Sequence, residues 1–300
     1  MKRVNHLFDY LISDENLGNA IDEVNATHRW RPRHRPDKTV QRVEADRAGS
    51  IEALRAIIVS GFEPSPARKK RRWDKSAGKW REIYEPKLWP DQYVHHALVQ
   101  ALQRPMMRGM DPYCCGSIRG RGIHYGVKAM KKWHRDDPKG TRWCAQLDIR
   151  HFYDSLKLEV VMARMRQLVK DHRVLDLAER VMRDGVMIGA YFSQWFANTT
   201  LQPLDHALRE RGPEVTHYLR YMDNFTLYAR SKRQLDRAIK MIEDWLKAHE
   251  LTIKGDWQKF RTADRMPTAL GYRFGRGYTY LRKRNLFRIC LLYTSDAADE

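Results

Sequence analysis

The sequence has few cysteines, no long apolar run and many fewer acidic than basic residues. Its four cysteines include no CxxC pair, so we predict reduced, buried thiols and no zinc site. No apolar run approaches the roughly 20 residues that span a bilayer, and the charged start does not resemble a signal peptide. Internal repeats and a glycine-rich phosphate loop are also missing. These absences favour a cytoplasmic protein that does not contact a membrane.

The charge balance indicates a polyanionic partner. The 300 residues include 56 Lys and Arg against 37 Asp and Glu, which gives a formal net charge of +19 at pH 7. Such an excess favours nucleic-acid binding, because each neutralised phosphate releases counterions. With 42% hydrophobic residues the chain can also build a core, and its length predicts two or three packed subdomains.

The spacing of apolar residues predicts an α+β fold and not a doubly wound sheet. The basic stretch 28–35 contains two prolines and is expected to be irregular. Helical spacing occurs at residues 14–24, 50–59, 90–102, 158–183 and 231–246. Strand patterns occur at residues 68–73, 79–84 and 143–149, and in two hairpins over residues 218–228 and 270–280. The first two of these strands mix basic with aromatic residues, which is typical of nucleic-acid contact.

Two aspartates occur where acids are costly. Asp148 ends a strand whose other face is apolar, and Asp223 lies at the tip of a hairpin with apolar flanks. Carboxylates at strand ends can converge on two Mg²⁺ ions about 3.5–4 Å apart, which activate an attacking hydroxyl and stabilise a leaving pyrophosphate. The alternative is that each aspartate only caps a turn.

Six segments resemble the motifs of reverse transcriptases, in the order and spacing of that family. Residues 148–155 resemble the first palm motif, and residues 188–198 resemble the second in the IGxxxSQ form of diversity-generating retroelements. The other matches are residues 81–91 with the finger motif, 116–126 with the segment after it, 221–224 with the YxDD box and 270–272 with the primer grip. The resemblance covers roughly residues 5–289, and the broader family includes group II intron and retron enzymes.

The resemblance implies a right-hand polymerase fold of fingers and palm, with an antiparallel palm sheet and packed helices. We expect a helical N-terminal extension at residues 1–66, fingers at 67–140, and a palm with the primer-grip hairpin at 141–289. Residues 290–300 differ from the basic sequence before them and resemble an adapter-derived ending. The helical thumb that follows the primer grip in the family is therefore expected to be truncated.

The resemblance also implies the site residues. Asp148, Asp223 and the carbonyl of Ile149 would hold two Mg²⁺ ions. Tyr153 falls where the family places an aromatic gate against a ribose 2′-hydroxyl, with core packing as its alternative. The other residues implied at the incoming nucleotide are Lys79, Arg81, Ile188, Gly189, Ser193 and Gln194, and those implied at the primer are Leu270, Gly271 and Tyr272. Lys254 and Lys259 are candidates for the general acid that protonates pyrophosphate.

The implied activity is RNA-directed DNA synthesis on an RNA template, from a DNA or RNA primer and dNTPs. A basic accessory protein of the retroelement is a further expected partner. One departure stands out, because Asn224 occupies the second acidic position of the YxDD box. Two alternatives therefore stay open: a catalytically impaired polymerase-fold module that binds RNA, and a different two-metal enzyme such as a nuclease.

Overall fold

The computed structural model describes residues 2–28, 30–31, 35–74, 78–210 and 215–296. The helices in these ranges are α1 (Leu7–Leu11), α2 (Asp14–His28), α3 (Lys38–Ala45), α4 (Arg47–Val59), α5 (Tyr93–Arg108), α6 (Ile123–Asp136), α7 (Phe152–Ser155), α8 (Leu158–Leu168), α9 (His172–Val181), α10 (Tyr191–Thr200), α11 (Gln202–Glu210), α12 (Lys232–Ala248) and α13 (Lys283–Asp296). The strands are β1 (Trp30–Arg31), β2 (Arg35–Pro36), β3 (Arg68–Asp74), β4 (Lys79–Glu85), β5 (Cys114–Cys115), β6 (Trp143–Asp148), β7 (His217–Tyr221), β8 (Asn224–Ala229), β9 (Gln258–Arg261), β10 (Thr268–Ala269), β11 (Tyr272–Phe274) and β12 (Thr279–Leu281). Of the helices in these ranges, none is long and apolar enough to cross a bilayer.

Two compact units interleave along the chain. The first comprises residues 1–110 and 153–201, and the second comprises residues 111–152 and 202–300. The subdomain boundaries expected from the sequence, after residues 66, 140 and 289, are functional boundaries and stay a prediction.

The first unit is built around α5, which is buried on nearly every side. Its expected inward face is confirmed by five residues that are at most 2% exposed, Val94, Ala97, Leu98, Ala101 and Leu102. The rest of the helix is covered as well, since α1, α2, α9 and α10 all pack against it. Apolar spacing therefore identified this helix but not its central position.

The single long helix expected over residues 158–183 is wrong, because the structure has two helices there, α8 and α9. The break between them is held by a distant segment. The N–H of Val4 donates to the carbonyl of Leu168 at 2.9 Å, and the N–H of Lys170 donates to the carbonyl of Val4 at 2.7 Å. These hydrogen bonds satisfy backbone groups that a continuous helix would use, and helical spacing cannot reveal them.

Two smaller expectations of the first unit have different outcomes. The stretch 28–35 was expected to be irregular, but β1 and β2 form a short antiparallel pair there; residues 29 and 32–34 lie outside the described residues. Pro90 was expected to begin a helix. Trp89 has extended backbone angles (φ −107°, ψ 132°) within the helical turn Leu88–Gln92, so helical geometry does begin at Pro90.

The second unit contains a five-stranded sheet with the strand order β5-β7-β8-β6-β9. Its neighbouring strands are antiparallel except for β5 and β7. Both predicted hairpins are present, the first as β7–β8 and the second within a three-stranded sheet, β10-β11-β12. The predicted cap of α12 is also confirmed, as Ser231 and Gln234 form a capping box. The α+β class with an antiparallel sheet and packed helices is therefore confirmed.

One face of this sheet changes from apolar to polar along its strands. At one end Cys144 and Tyr228 are paired across β6 and β8 and belong to a buried cluster with residues of α6. Four residues further along β6, on the same face, Asp148 lies opposite Asn224 of β8. The alternation predicted for β6 therefore ends at a polar edge.

The helix α13 follows β12 and extends from Lys283 to Asp296. It crosses the boundary that composition placed at residue 290, and residues 297–300 lie outside the described residues. The foreign origin of residues 290–300 stays a prediction.

A histidine in α5 is buried without hydrogen bonds. Neither ring nitrogen of His95 has a partner among the described residues, and its ring packs edge-on against Phe192, with 4.9 Å between centroids. Burial, and secondarily the neighbouring His96, lowers the pKa of His95 to about 3. The folded state therefore keeps this imidazole neutral, whereas the unfolded chain takes up a proton below about pH 6.5.

We expect His95→Leu to stabilise the protein, because it removes two unsatisfied polar atoms, each worth about 1–3 kcal/mol when buried. The gain should grow as the pH falls from 6.5 towards 3, with a slope of up to about 1.4 kcal/mol per pH unit, since only the unfolded wild type gains the proton. Urea unfolding at several pH values measures this. The exposed His124 supplies the control, His124→Leu. An unchanged pH slope in His95→Leu would contradict the prediction.

Candidate active site

Two strands of the sheet end at the same edge and bring two aspartates together. β7 and β8 are joined by a two-residue bend that contains Asp223, because Tyr221 pairs with Asn224. Asp148, the last residue of β6, also pairs with Asn224. The N–H of Ile149 then donates to the carbonyl of Asp223 at 3.3 Å. The main chain therefore holds Asp148 and Asp223 side by side.

The electrostatics of this edge reflect that proximity. Burial, followed by the charge of Asp223, raises the pKa of Asp148 to about 6, while Lys254 acts in the opposite direction. Asn224 donates from Nδ2 to Oδ1 of Asp223 at 3.2 Å. The fold therefore holds the carboxylates of Asp148 and Asp223 close together. The neutral side chain of Asn224 donates a hydrogen bond to Asp223 and adds no third negative charge.

A completely buried charge holds the bend that carries Asp223. Arg220 of β7 and Asp205 of α11 are both 0% exposed. The guanidinium donates to both carboxylate oxygens, from Nε at 2.8 Å and from Nη2 at 2.6 Å. Its Nη1 donates to the carbonyl of Met222 at 2.9 Å, within the bend itself. Burial disfavours the charge, but the Asp205 carboxylate outweighs burial and keeps the pKa of Arg220 well above its usual value.

A cavity of about 420 Å³, the acidic cavity, opens on the polar part of the sheet face. Asp148 and Asn224 line it from β6 and β8, and Lys254 lines it from the loop before β9. Leu270 and Gly271, at the bend between β10 and β11, also line it. Of the residues predicted to hold metal, Asp148 therefore shares this cavity with two residues predicted to hold the primer, and Asp223 is not among the lining residues.

Gln146 connects β10 to the five-stranded sheet, a contact that the sequence did not predict. Its Nε2 donates to the carbonyl of Thr268 at 2.8 Å, and its Oε1 accepts from the N–H of Thr268 at 3.3 Å. Thr268 begins β10, which pairs with β11 through Ala269 and Tyr272. Strand alternation placed Gln146 on the face of Asp148, but nothing in the sequence indicated its partner.

The structure distinguishes the two candidate lysines. Lys254 lines the acidic cavity and donates to Asp256 at 2.6 Å, a hydrogen bond that raises the pKa of Lys254. Lys259 forms an ion pair with Asp236 of α12 and is not among the residues that line this cavity. Only Lys254 is therefore placed beside Asp148. Asp256 is a cavity residue that sequence patterns did not single out.

The donor set at this edge suits Mg²⁺. Asp148 and Asp223 offer carboxylate oxygens, which are the ligands that Mg²⁺ prefers. Burial, and then the like charge of Asp223, raise the pKa of Asp148, and a bound divalent cation would stabilise the ionised pair. The described residues contain no group of three or more His, Cys, Asp or Glu side chains placed to hold a metal. A metal at this edge would therefore have Asp148 and Asp223 as its two carboxylate ligands, and Asn224 would add no third.

A second cavity, also about 420 Å³, lies within the first unit and contains residues predicted to bind the nucleotide. Tyr84 of β4, Tyr153 and Ile188 line this nucleotide-side cavity, and the N–H of Tyr84 donates to the carbonyl of Ile188 at 2.8 Å. Gly189 has a left-handed φ of 108°, and a Cβ there would lie 2.5 Å from Ile83 Cγ2 and from the carbonyl oxygen of Tyr84. The turn can approach β4 this closely only with glycine.

The other predicted nucleotide residues are more dispersed. Ser193 is buried in α10 with no hydrogen-bond partner for Oγ among the described residues, and Gln194 is exposed. Arg81 donates from Nε to Asp74 at 2.6 Å within the β3–β4 hairpin and is not among the residues lining the nucleotide-side cavity. The side chain of Lys79 lies outside the described residues. Their roles at the nucleotide stay predictions.

The fold is similar to those of two telomerase structures. The apo telomerase of Candida tropicalis, truncated from the C-terminal domain, matches with a TM-score of 0.54 and 12% identity over 77% of this chain and 59% of that chain. The telomerase of Candida albicans, in complex with a TWJ fragment of telomeric RNA, matches with a TM-score of 0.57 and 11% identity over 76% of this chain and 46% of that chain. At such identities the likeness shows the fold, which is that of a fingers–palm polymerase.

The sequence match identifies the family within this class. Residues 68–274 match the family described as reverse transcriptase (RNA-dependent DNA polymerase). The chain therefore belongs to the reverse transcriptase family, a family of RNA-directed DNA polymerases. Protein YkfC of Escherichia coli (strain K12) is 25% identical over 185 residues, which are 56% of this chain and 48% of that relative. The chain thus spans about half the length of the curated relative that it matches.

We expect Arg220→Met to lower the free energy of unfolding by about 3–5 kcal/mol, because it leaves the buried Asp205 carboxylate without its cation. The control is Arg166→Met, which breaks an exposed ion pair with Glu179 and should cost about 1 kcal/mol or less. Urea denaturation followed by circular dichroism compares the two variants. A loss in Arg220→Met no larger than in the control would mean that the buried pair does not hold the hairpin.

Proposed function

We propose that this protein copies RNA into DNA by two-metal nucleotidyl transfer within a retroelement. The observation that supports this most directly is the placement of Asp148 and Asp223 side by side at the edge of the sheet. A carboxylate pair of this kind, next to a cavity large enough for part of a primer end, suits transfer of a nucleotide to a hydroxyl.

Asp148, Asp223 and the carbonyl of Ile149 are the groups that would hold the metal. Two bound Mg²⁺ ions would activate the primer 3′-hydroxyl and neutralise the leaving pyrophosphate. Lys254 would stay protonated beside Asp148, because its hydrogen bond with Asp256 raises its pKa, and would give its proton to pyrophosphate.

The primer would be held at the same cavity. Leu270 and Gly271 form its wall, and Tyr272 begins the strand that continues from them. Gln146 positions this wall through its two hydrogen bonds to Thr268. A primer terminus would be gripped there by packing against the bend and by main-chain contacts.

The incoming dNTP would be selected by the residues of the first unit. Tyr153 would exclude a ribose 2′-hydroxyl, and Ile188 would pack against the base without offering a hydrogen bond. Gly189 would keep the turn close to β4. The remaining contacts would come from Ser193, Gln194, Lys79 and Arg81, and Arg81 would have to exchange its bond with Asp74 for the triphosphate.

The retroelement would be of the diversity-generating type, on the strength of the resemblance at residues 188–198. Its partners would then be an RNA template, a DNA or RNA primer, and a basic accessory protein. A template repeat and a variable repeat in the neighbouring DNA would support this assignment, and their absence beside a complete gene would refute it.

One observation favours a second candidate function. Asn224 reduces the acids at the sheet edge to two, and the described residues hold no group of three metal-binding side chains. A protein of this fold could then bind RNA without synthesis. Magnesium-dependent incorporation of dNTPs on a primed RNA template separates the two functions.

We expect Asp148→Ala and Asp223→Ala to reduce incorporation to background while RNA binding changes only a few-fold. Catalysis needs both carboxylates, whereas affinity comes from basic residues spread over the surface. Asp244→Ala removes an exposed acid of α12 and should leave both properties unchanged. Incorporation by Asp223→Ala at the parental rate would show that the metal assignment is wrong.

We expect Asn224→Asp to lower the Mg²⁺ concentration needed for half-maximal incorporation and to raise turnover, because a third carboxylate attracts cations. The substitution also removes the hydrogen bond to Asp223. Titration of Mg²⁺ in the primed-template assay measures the effect. Lower activity at every Mg²⁺ concentration would mean that the site is adapted to asparagine.

A further inference from the structure

The turn that leads from the nucleotide-side cavity into α10 is held at one end by β4. Ile188 lines this cavity, and its carbonyl accepts from the N–H of Tyr84 at 2.8 Å. We call residues 187–190 the nucleotide-side turn. It ends at Tyr191, the first residue of α10. The start of α10 therefore decides where the other end of the turn lies.

A histidine of α5 lies flat against the first residue of α10. The ring centroids of His96 and Tyr191 are 3.7 Å apart, and the planes of the two rings differ by only 6°. Rings that are parallel at this distance are in contact over most of one face. The position and the tilt of the Tyr191 ring therefore follow those of His96.

The His96 ring is also held from α2. Its Nδ1 lies 3.1 Å from Oε2 of Glu23. Because a carboxylate only accepts hydrogen bonds, Nδ1 carries the proton and donates it. The side chain of His96 is 11% exposed, and burial lowers its pKa, so the ring is neutral at neutral pH. His96 thus presents a fixed and uncharged ring to Tyr191.

The helix behind this ring is firmly supported. α1, α2, α9 and α10 all pack against α5. The hydroxyl of Tyr93 donates to Oδ1 of Asn25 at 2.7 Å, and Nδ2 of Asn16 donates to the carbonyl of Ala97 at 3.1 Å. His96 therefore projects from a helix that α2 holds by hydrogen bonds on both sides of it.

A direct chemical role for His96 is less well supported. The residue lines neither the nucleotide-side cavity nor the acidic cavity. Within the described ranges it belongs to no group of three side chains that could hold a metal. One face of its ring is covered by Tyr191, and one nitrogen is bonded to Glu23. These contacts favour a role that acts through Tyr191.

We propose that His96 is a positioning residue for dNTP binding, because its stack on Tyr191 fixes the start of α10 and thereby holds the nucleotide-side turn at the cavity. The turn is then fixed at both ends, by Tyr84 of β4 and by His96 of α5. His96 touches no substrate itself, and its effect reaches the nucleotide only through Tyr191 and the turn.

This inference rests on the proposed function in taking the nucleotide-side cavity as the dNTP site. The first experiment therefore uses the full chain without Mg²⁺, RNA or dNTP and measures the turn itself, and the second measures the dNTP during synthesis. A wild type that incorporates no dNTP would refute the proposed function. The first experiment would still decide whether His96 holds the turn.

The first experiment measures hydrogen–deuterium exchange of the amides in residues 187–193 by mass spectrometry. The N–H of Ala190 donates to the carbonyl of Met187 at 3.3 Å, and the N–H of Ser193 donates to the carbonyl of Ala190 at 3.2 Å. His96→Leu should speed exchange of these amides about 2- to 10-fold and leave peptides of α12 unchanged. His96→Phe keeps a ring and should exchange as the wild type does.

The second experiment measures single-turnover incorporation on a primed RNA template at increasing dNTP concentration, which separates the apparent dNTP Kd from the maximal rate. His96→Leu should raise the Kd about 2- to 10-fold and leave the maximal rate within about two-fold, because the acidic pair is untouched. His96→Phe should restore the wild-type Kd. The matched control is His249→Leu, which removes another stacked histidine, 3.8 Å from the ring of Trp245, and should change neither constant.

A double-mutant cycle tests whether the effect passes through the stack. His96→Leu and Tyr191→Leu each remove one of the two rings. The double variant should therefore raise the dNTP Kd no more than the larger of the two single changes. Effects that multiply would show that His96 acts independently of Tyr191 and would contradict the proposal.

Other results would also overturn the proposal. One is unchanged exchange at residues 187–193 in a folded His96→Leu variant, with folding checked by thermal unfolding. Another is faster exchange spread evenly over α2 and α5, which would assign the stack to stability alone. A third is a lower maximal rate with an unchanged dNTP Kd. If His96→Leu does not fold, Tyr191→Leu provides the same test, since it removes the other ring.

Discussion

The buried pair of Arg220 and Asp205 is the constraint on which the sheet edge depends. A guanidinium with no exposure needs a compensating charge and hydrogen-bond acceptors, and here Nε and Nη2 donate to one carboxylate while Nη1 donates to a carbonyl of the bend. Because each charge is stable only beside the other, the pair fixes the distance between α11 and the β7–β8 hairpin. Because the bend carries Asp223, the geometry of the acidic pair follows from an interaction that contains no residue of the pair itself.

The sheet face shows how one strand can serve a core and a polar site. Cys144 lies in the apolar cluster, Gln146 binds Thr268 of β10, and Asp148 lies at the edge of the sheet. These three alternate residues of β6 share one face of the sheet. The apolar end of β6 is therefore fixed by core packing, whereas its polar end at Asp148 is not part of the core. The buried cluster at Cys144 and the acidic edge at Asp148 are therefore separated by only about 13 Å, the rise of four strand residues.

Local patterns predicted those parts of the fold that local interactions determine. The two hairpins, the capped start of α12 and the polar end of β6 follow from alternation and turn chemistry, and Asp148 and Asp223 were found as acids at strand ends. Contacts between residues far apart in the sequence could not be predicted from these local patterns. The break between α8 and α9 depends on Val4, the contact of Gln146 depends on Thr268, and an arginine within a strand gives no sign that it is buried.

The hydrogen bond between Tyr84 and Ile188 gives the β3–β4 hairpin a fixed origin beside the nucleotide-side cavity. From Tyr84 to Trp80 the strand advances four residues, or about 13 Å. The hairpin therefore carries the exposed side chain of Trp80 about one strand length away from the point at which Ile188 holds its main chain.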